Sequence, residues 1–201
     1  SVLVSSTGVI GAFLPMDKFE KGIPEACNAL ETSTLEDFAQ AILTTDTCTK
    51  TVTAKGNVLS QGQKIDFTVT GVAKGSGMIR PDMATMLAYL FTDAAISADR
   101  LKQALTHAAN RSFNRITVDG DTSTNDTLVC MASGAGHAVI DDDNSFNAFQ
   151  KVIDEVCYTL AQKIVRDGEG ATKAASITVK GAQSNEDAFA MARELARKEG
   201  I

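Results

Sequence analysis

Lys74-Gly75-Ser76-Gly77-Met78-Ile79-Arg80-Pro81-Asp82-Met83-Ala84-Thr85-Met86-Leu87, continuing into Ala88-Tyr89-Leu90-Phe91, joins two different kinds of sequence. Its first part is rich in glycine and cannot hold a regular strand, whereas residues 83 to 91 form a nearly all-apolar run of strand length, the pattern of a strand covered on both faces. Just upstream, residues 49 to 54 and 64 to 73 are rich in Thr and Val and alternate in polarity around a Gly-, Asn- and Gln-containing stretch, which predicts a hairpin. Downstream, Phe149, Val152, Ile153, Val156, Leu160 and Ile164 recur at three- and four-residue steps and predict a long amphipathic helix ending near Gly168, with Ser145 as its cap. Strands and helices intermingle without the βαβα rhythm of a dinucleotide-binding domain, so the expected class is a layered α/β sandwich.

The remaining elements follow the same rules. Val2, Leu3 and Val4 predict a short buried strand running into the hydroxyl-rich turn Ser5-Ser6-Thr7-Gly8. Residues 15 to 31 space Phe19, Ile23 and Cys27 on one helical face, with Gly22 and Pro24 expected to break it. A second helix is predicted after a Ser33 or Thr34 cap, a third after Ser97, a strand over residues 128 to 132, another over 174 to 179, and a last helix opened by Ser184 and Asp187.

Composition narrows the function. The 201 residues are 44% hydrophobic and carry a net charge of -6, without a basic cluster interleaved with aromatics, which argues against nucleic acid or an anionic membrane as partner and favours small metabolites. No apolar run approaches the roughly 20 residues that span a bilayer. Cys27, Cys48, Cys130 and Cys157 lie far apart with only His107 and His137 to help, so no metal site is expected, and buried reduced thiols are the simplest reading. Lys74 to Met78 lacks the spacing of a phosphate-binding loop. Asp119, Asp121, Ser123 and Asn125 alternate like a calcium loop, but Thr124 and Cys130 stand where that loop needs Gly and Glu. Asp141-Asp142-Asp143 reads as a solvated turn.

What is left is hydroxyl chemistry around Lys74 to Leu87. Thr85 follows the small Ala84. If the chain were cut between them, the new α-amine, with a pKa of about 8, would be able to take the proton of the Thr85 hydroxyl. The pattern by itself favours an ordinary Thr in a buried strand.

Five blocks, in order, resemble the glutamate N-acetyltransferase (ornithine acetyltransferase) family: Ser6-Thr7-Gly8-Val9-Ile10-Gly11 with Leu14-Pro15-Met16; Thr44-Thr45-Asp46-Thr47; Lys74 to Leu87; Asp119 to Asp126; and Asp167-Gly168-Glu169-Gly170-Ala171-Thr172-Lys173. The resemblance implies an α/β/β/α sandwich related in architecture to N-terminal-nucleophile hydrolases. It implies autocleavage between Ala84 and Thr85, so that residues 1–84 are the C-terminal part of an α chain and residues 85–201 the N-terminal part of a β chain, the two sharing sheets in one catalytic unit.

Thr85 is then the nucleophile, Thr7 and Gly8 form the oxyanion hole, and Thr44, Lys74, Thr85 and Glu169 contact substrate. Acetyl passes from N-acetylornithine to glutamate in arginine biosynthesis without a coenzyme, acetyl-CoA being a further candidate donor. The family also implies an α2β2 assembly and a cytoplasmic enzyme, or a mitochondrial-matrix one in a eukaryote. Asp82 stands where the family commonly has Asn. The start at Ser1, without Met, and the missing outer blocks of the family suggest a piece of a longer precursor with an incomplete site. An amidase or aminopeptidase using the same freed Thr, and a non-catalytic α/β binding module, are the alternatives.

Overall fold

The computed structural model describes residues 3–60, 62–80, 86–121 and 125–199. Its centre is the predicted hairpin, longer than the alternation alone indicates. Strand β1 (Lys50–Ser60) pairs antiparallel with β2 (Gln63–Lys74) from Lys50↔Ala73 to Ser60↔Gln63, and Gly62 takes the positive φ of +77° that so tight a connection requires. Strand β3 (Leu87–Thr92) adds antiparallel to β2 from Lys74↔Leu87. Strand β5 (Thr127–Ala132) lies parallel to β3 from Leu87↔Thr127, which completes a four-stranded sheet in the order β1-β2-β3-β5. The expected chain boundary between Ala84 and Thr85 therefore falls between two strands that pair directly. Strands β4 (Ala95–Ile96) and β6 (Val139–Ile140) form a separate parallel ribbon that touches α4.

Helix α4 (Asp143–Arg166) is the long helix the periodicity indicates, and its buried stripe runs from Phe149 through Val156 and Leu160 to Ile164. It crosses β1 and β2 closely because two glycines leave room. A Cβ on Gly71 would stand 2.7 Å from both Leu160 and Val156, and one on Gly56 would stand 2.7 Å from Val152. Helix α3 (Ala98–Arg111), capped by Ser97 as expected, packs on α4 and buries Ala104, Ala108 and Ala109. On the opposite face of the sheet, α2 (Leu35–Ala41) sets Phe38 edge-on against Tyr89, with ring centres 5.2 Å apart. The α/β class holds. The described residues build the helical layer and one sheet of the expected sandwich.

Several local expectations are corrected. Helix α1 (Met16–Asn28) continues through Gly22 and Pro24, so the expected break is absent; proline's φ suits a helix, although its ring gives up the bond to the carbonyl four residues back and crowds that carbonyl. Of the strand expected over Val2, Leu3 and Val4, Val2 lies outside the described residues, and Leu3 and Val4 are 70% and 87% exposed and pair with no described strand. Residues 174–179 are likewise unpaired, because no described strand edge receives them. Asp142, not Ser145, caps α4: its carboxylate accepts the Ser145 amide at 2.7 Å, while the Ser145 hydroxyl accepts the Asp142 amide at 3.2 Å. The middle of the acidic triplet is thus a helix cap. Only Cys157 is fully buried; Cys130 is half-buried, and Cys27 and Cys48 are exposed. Thr34 caps α2 in a capping box with Asp37, and α5 (Asn185–Glu199) begins beside Ser184, which accepts the Asp187 amide at 3.0 Å.

Candidate active site

The glycine-rich segment leaves β2 at Lys74 and threads between two other loops. On one side lies the Thr44 to Thr47 block. The Lys74 ammonium, buried with the residue only 2% exposed, donates to the Thr44 hydroxyl at 3.2 Å. Burial is the strongest influence on Lys74 and pulls its pKa below the usual lysine range, against the raising effect of the Asp46 carboxylate and, more weakly, that of Asp126. Thr45, the neighbour most easily confused with Thr44, instead shares a hydrogen bond with the Ser76 hydroxyl at 3.0 Å. On the other side lies the Asp167 to Lys173 block. Glu169 donates its amide to the Ser76 carbonyl at 2.8 Å, and its carboxylate sits where a Cβ on Gly77 would be, 2.9 Å away. Thr44, Lys74 and Glu169 are therefore brought to one glycine-rich corner, with the Glu169 side chain exposed toward solvent.

What holds the corner together is a buried ion cluster that pattern reading does not reveal. Lys50, fully enclosed, bonds to Asp46 at 2.6 Å and to Asp167 at 2.5 Å. Asp46 also accepts the Gly75 amide at 2.6 Å and the Thr44 amide at 3.3 Å. Asp167 accepts the Thr47 amide at 3.0 Å and the Thr47 hydroxyl. Burial pushes both carboxyls up, but the Lys50 bond and the N–H and O–H donors outweigh it and hold both below the ordinary carboxylate value. Both aspartates belong to sequence blocks already singled out, but Lys50 does not, and a pairing across 117 residues leaves no local signal.

The Asp119 to Asp126 block has a definite task. Asp119 accepts the amides of Met78, at φ +51° in the left-handed region, and of Ile79 at 3.1 Å. Asp126 accepts the Met86 amide at 2.8 Å, and the Thr127 amide donates to the Met86 carbonyl at 3.1 Å. Two carboxylates from one loop thus pin the chain on both sides of residues 81–85. Ala84 and Thr85, the expected cleavage pair, and Asp82 lie outside the described residues. Asn125 donates to the Ser6 carbonyl and hydroxyl at 3.4 and 3.3 Å, and Ser5 bonds to the Tyr89 hydroxyl, so the first loop docks at the starting ends of β3 and β5. Within that loop Thr7 is half-buried and Gly8 exposed. His107 pairs with Asp154 at 3.2 Å on α3 and α4, outside this arrangement.

Among the described residues, no helix is long and apolar enough to cross a membrane. The ArgJ family matches this chain over residues 1–200. The chain is 48% identical over 197 residues to the arginine biosynthesis bifunctional protein ArgJ of Geobacter sulfurreducens, covering 97% of this chain and 49% of the relative. It is 49% identical over 197 residues to the protein of the same name from Thermotoga neapolitana, covering 97% and 48%. The crystal structure of arginine biosynthesis bifunctional protein argJ from Bacillus halodurans is 45% identical, with a TM-score of 0.46 over 48% of this chain and 46% of that one. The chain spans about half the length of the curated relatives it matches. With the family match running almost from end to end, the chain belongs to the ArgJ family.

Proposed function

We propose that the protein of which this chain is part is a glutamate N-acetyltransferase that cuts itself between Ala84 and Thr85 and then carries the acetyl group on Thr85. The observation that supports this most is the convergence of Thr44, Lys74 and Glu169 around the segment leading to that junction, with both flanks pinned by Asp119 and Asp126.

In this reading the Thr85 hydroxyl attacks the acetyl carbonyl of N-acetylornithine while its proton passes to the free α-amine. The carbon–nitrogen bond of the substrate breaks, the ornithine amine takes up a proton and leaves, and the acetyl group stays as an ester on the hydroxyl oxygen. The glutamate amine then attacks that ester, which releases N-acetylglutamate and restores the hydroxyl. Thr7 and the Gly8 amide hold the negative oxygen of each tetrahedral intermediate, one such donor contributing about 10² to 10³ in rate. The Lys74 ammonium pairs with the substrate α-carboxylate, and Glu169, exposed at the rim, attracts a cationic amine. No coenzyme takes part, acetyl-CoA is a second acetyl donor to test, and the cut α and β pieces assemble as α2β2.

The decisive experiment is intact-mass and peptide analysis of the full-length protein after incubation with N-acetylornithine. The expected result is two fragments meeting at Ala84 and Thr85, with an acetyl adduct on the peptide that begins at Thr85. An uncut chain, or an adduct that persists in Thr85→Ala, overturns the reading.

A further inference from the structure

One carboxylate serves both sides of the Lys74 pocket. The Asp46 side chain is fully enclosed; its Oδ1 accepts the Gly75 amide at 2.6 Å and its Oδ2 the Thr44 amide at 3.3 Å. Gly75 follows Lys74 directly in the chain, and Thr44 is the residue whose hydroxyl receives the Lys74 ammonium at 3.2 Å. The backbone that carries the ammonium and the backbone that carries its hydroxyl partner therefore hang on the same side chain.

The surroundings of that ammonium pull in opposite directions. Burial is the largest influence on Lys74 and favours the neutral amine, as does the charge of Lys50. Two carboxylates oppose them, Asp46 the more strongly and Asp126 the less. Burial pushes the Asp46 carboxyl up, but Lys50 and the Gly75 and Thr44 amides outweigh it, so Asp46 is an anion at neutral pH. Asp167, tied to the same Lys50, is not among the charges that act on Lys74. A neutral amine would still fill the pocket and bond to Thr44, but it would not pair with a carboxylate.

We propose that Asp46 is the positioning residue of a carboxylate subsite: by holding the backbones of Thr44 and Gly75 and setting a fixed negative charge beside Lys74, it keeps the Lys74 ammonium ready for the α-carboxylate of the acetyl donor. This deepens the reading of Lys74 as the partner of that carboxylate and rests on it. Asp46 itself meets no substrate atom, since its oxygens are spent on Lys50, Gly75 and Thr44.

The test uses the processed full-length protein and two acetyl donors, N-acetylornithine and its α-carboxamide. The ratio of their kcat/KM values cancels every group that acts on both alike. Wild type is expected to prefer the carboxylate about tenfold to hundredfold near pH 7, the size of one charge-assisted hydrogen bond, and to lose the preference as rising pH deprotonates Lys74. In Asp46→Asn, whose amide oxygen can still accept from Lys50 and Gly75, the loss sets in about one pH unit lower or more. In Lys50→Met the opposing charge is gone while Asp46 stays ionised in the alkaline range, so the loss sets in at higher pH. Asp167→Asn damages the same buried cluster without changing the charges on Lys74, and the midpoint stays where it is. Loosened packing would not move the midpoint in opposite directions, and each of the two shifts is read without the other should one variant fail to fold. A midpoint that is unmoved in Asp46→Asn, that falls in Lys50→Met, or that moves equally in Asp167→Asn overturns this inference alone. A wild type that uses both donors equally well removes Lys74 from the carboxylate contact, and one that stays uncut or transfers no acetyl overturns the acetyl-transfer reading; the inference falls with either.

Discussion

Lys50 bridges Asp46 and Asp167 at 2.6 and 2.5 Å, and so locks together two loops that lie 121 residues apart in the chain. One loop carries Thr44 and the other Glu169, with Gly75 to Gly77 caught between them. The cluster touches no reacting atom in the proposed chemistry, but it sets the distance between the groups proposed to grip the substrate.

Replacing Lys50 by Met keeps the volume and removes the charge, which leaves two enclosed carboxylates without a cation. Breaking a buried ion pair from one side typically costs about 3–5 kcal/mol. Urea denaturation of the full-length protein at pH 7 is expected to show a loss of that size. A change below about 1 kcal/mol would mean that water or another cation takes the place of Lys50.

The pH dependence of that loss has a definite sign. Asp46 and Asp167 are held below their ordinary value of 3.8, so their contribution is fully present above that value and is lost as pH falls through their lower folded values. In Lys50→Met burial is less opposed, and protonation relieves rather than adds to the penalty. The stability gap between wild type and Lys50→Met is therefore widest at pH 7 and narrows below about pH 4, as urea titrations across that range would reveal.

The hairpin, the long α4 and the caps of α2 and α3 follow from period and capping chemistry alone, because each is decided by residues within one turn or one strand of each other. The strands read at Leu3 and Val4 and at residues 174–179 do not follow, since an apolar run becomes a strand only where another edge receives it. The ordered sequence blocks single out Thr44, Lys74 and Glu169, and the fold brings all three to one corner, while their roles belong to the proposed function. Lys50 was not legible, because nothing about one lysine at the start of an alternating strand announces two carboxylate partners. Asp126 was visible only as part of a polar turn, and its task emerges once the Met86 amide is seen to end on it.

Gly77→Ala separates geometry at the corner from stability. The added Cβ would stand 2.9 Å from the Glu169 carboxylate, an exposed side-chain end that can swing away at little cost. Unfolding is expected to change by less than about 0.5 kcal/mol, as for most surface substitutions. Displacing Glu169 weakens the hold on a cationic amine, so KM for N-acetylornithine rises several-fold while kcat is largely kept. An unchanged KM would remove Glu169 from the substrate contacts.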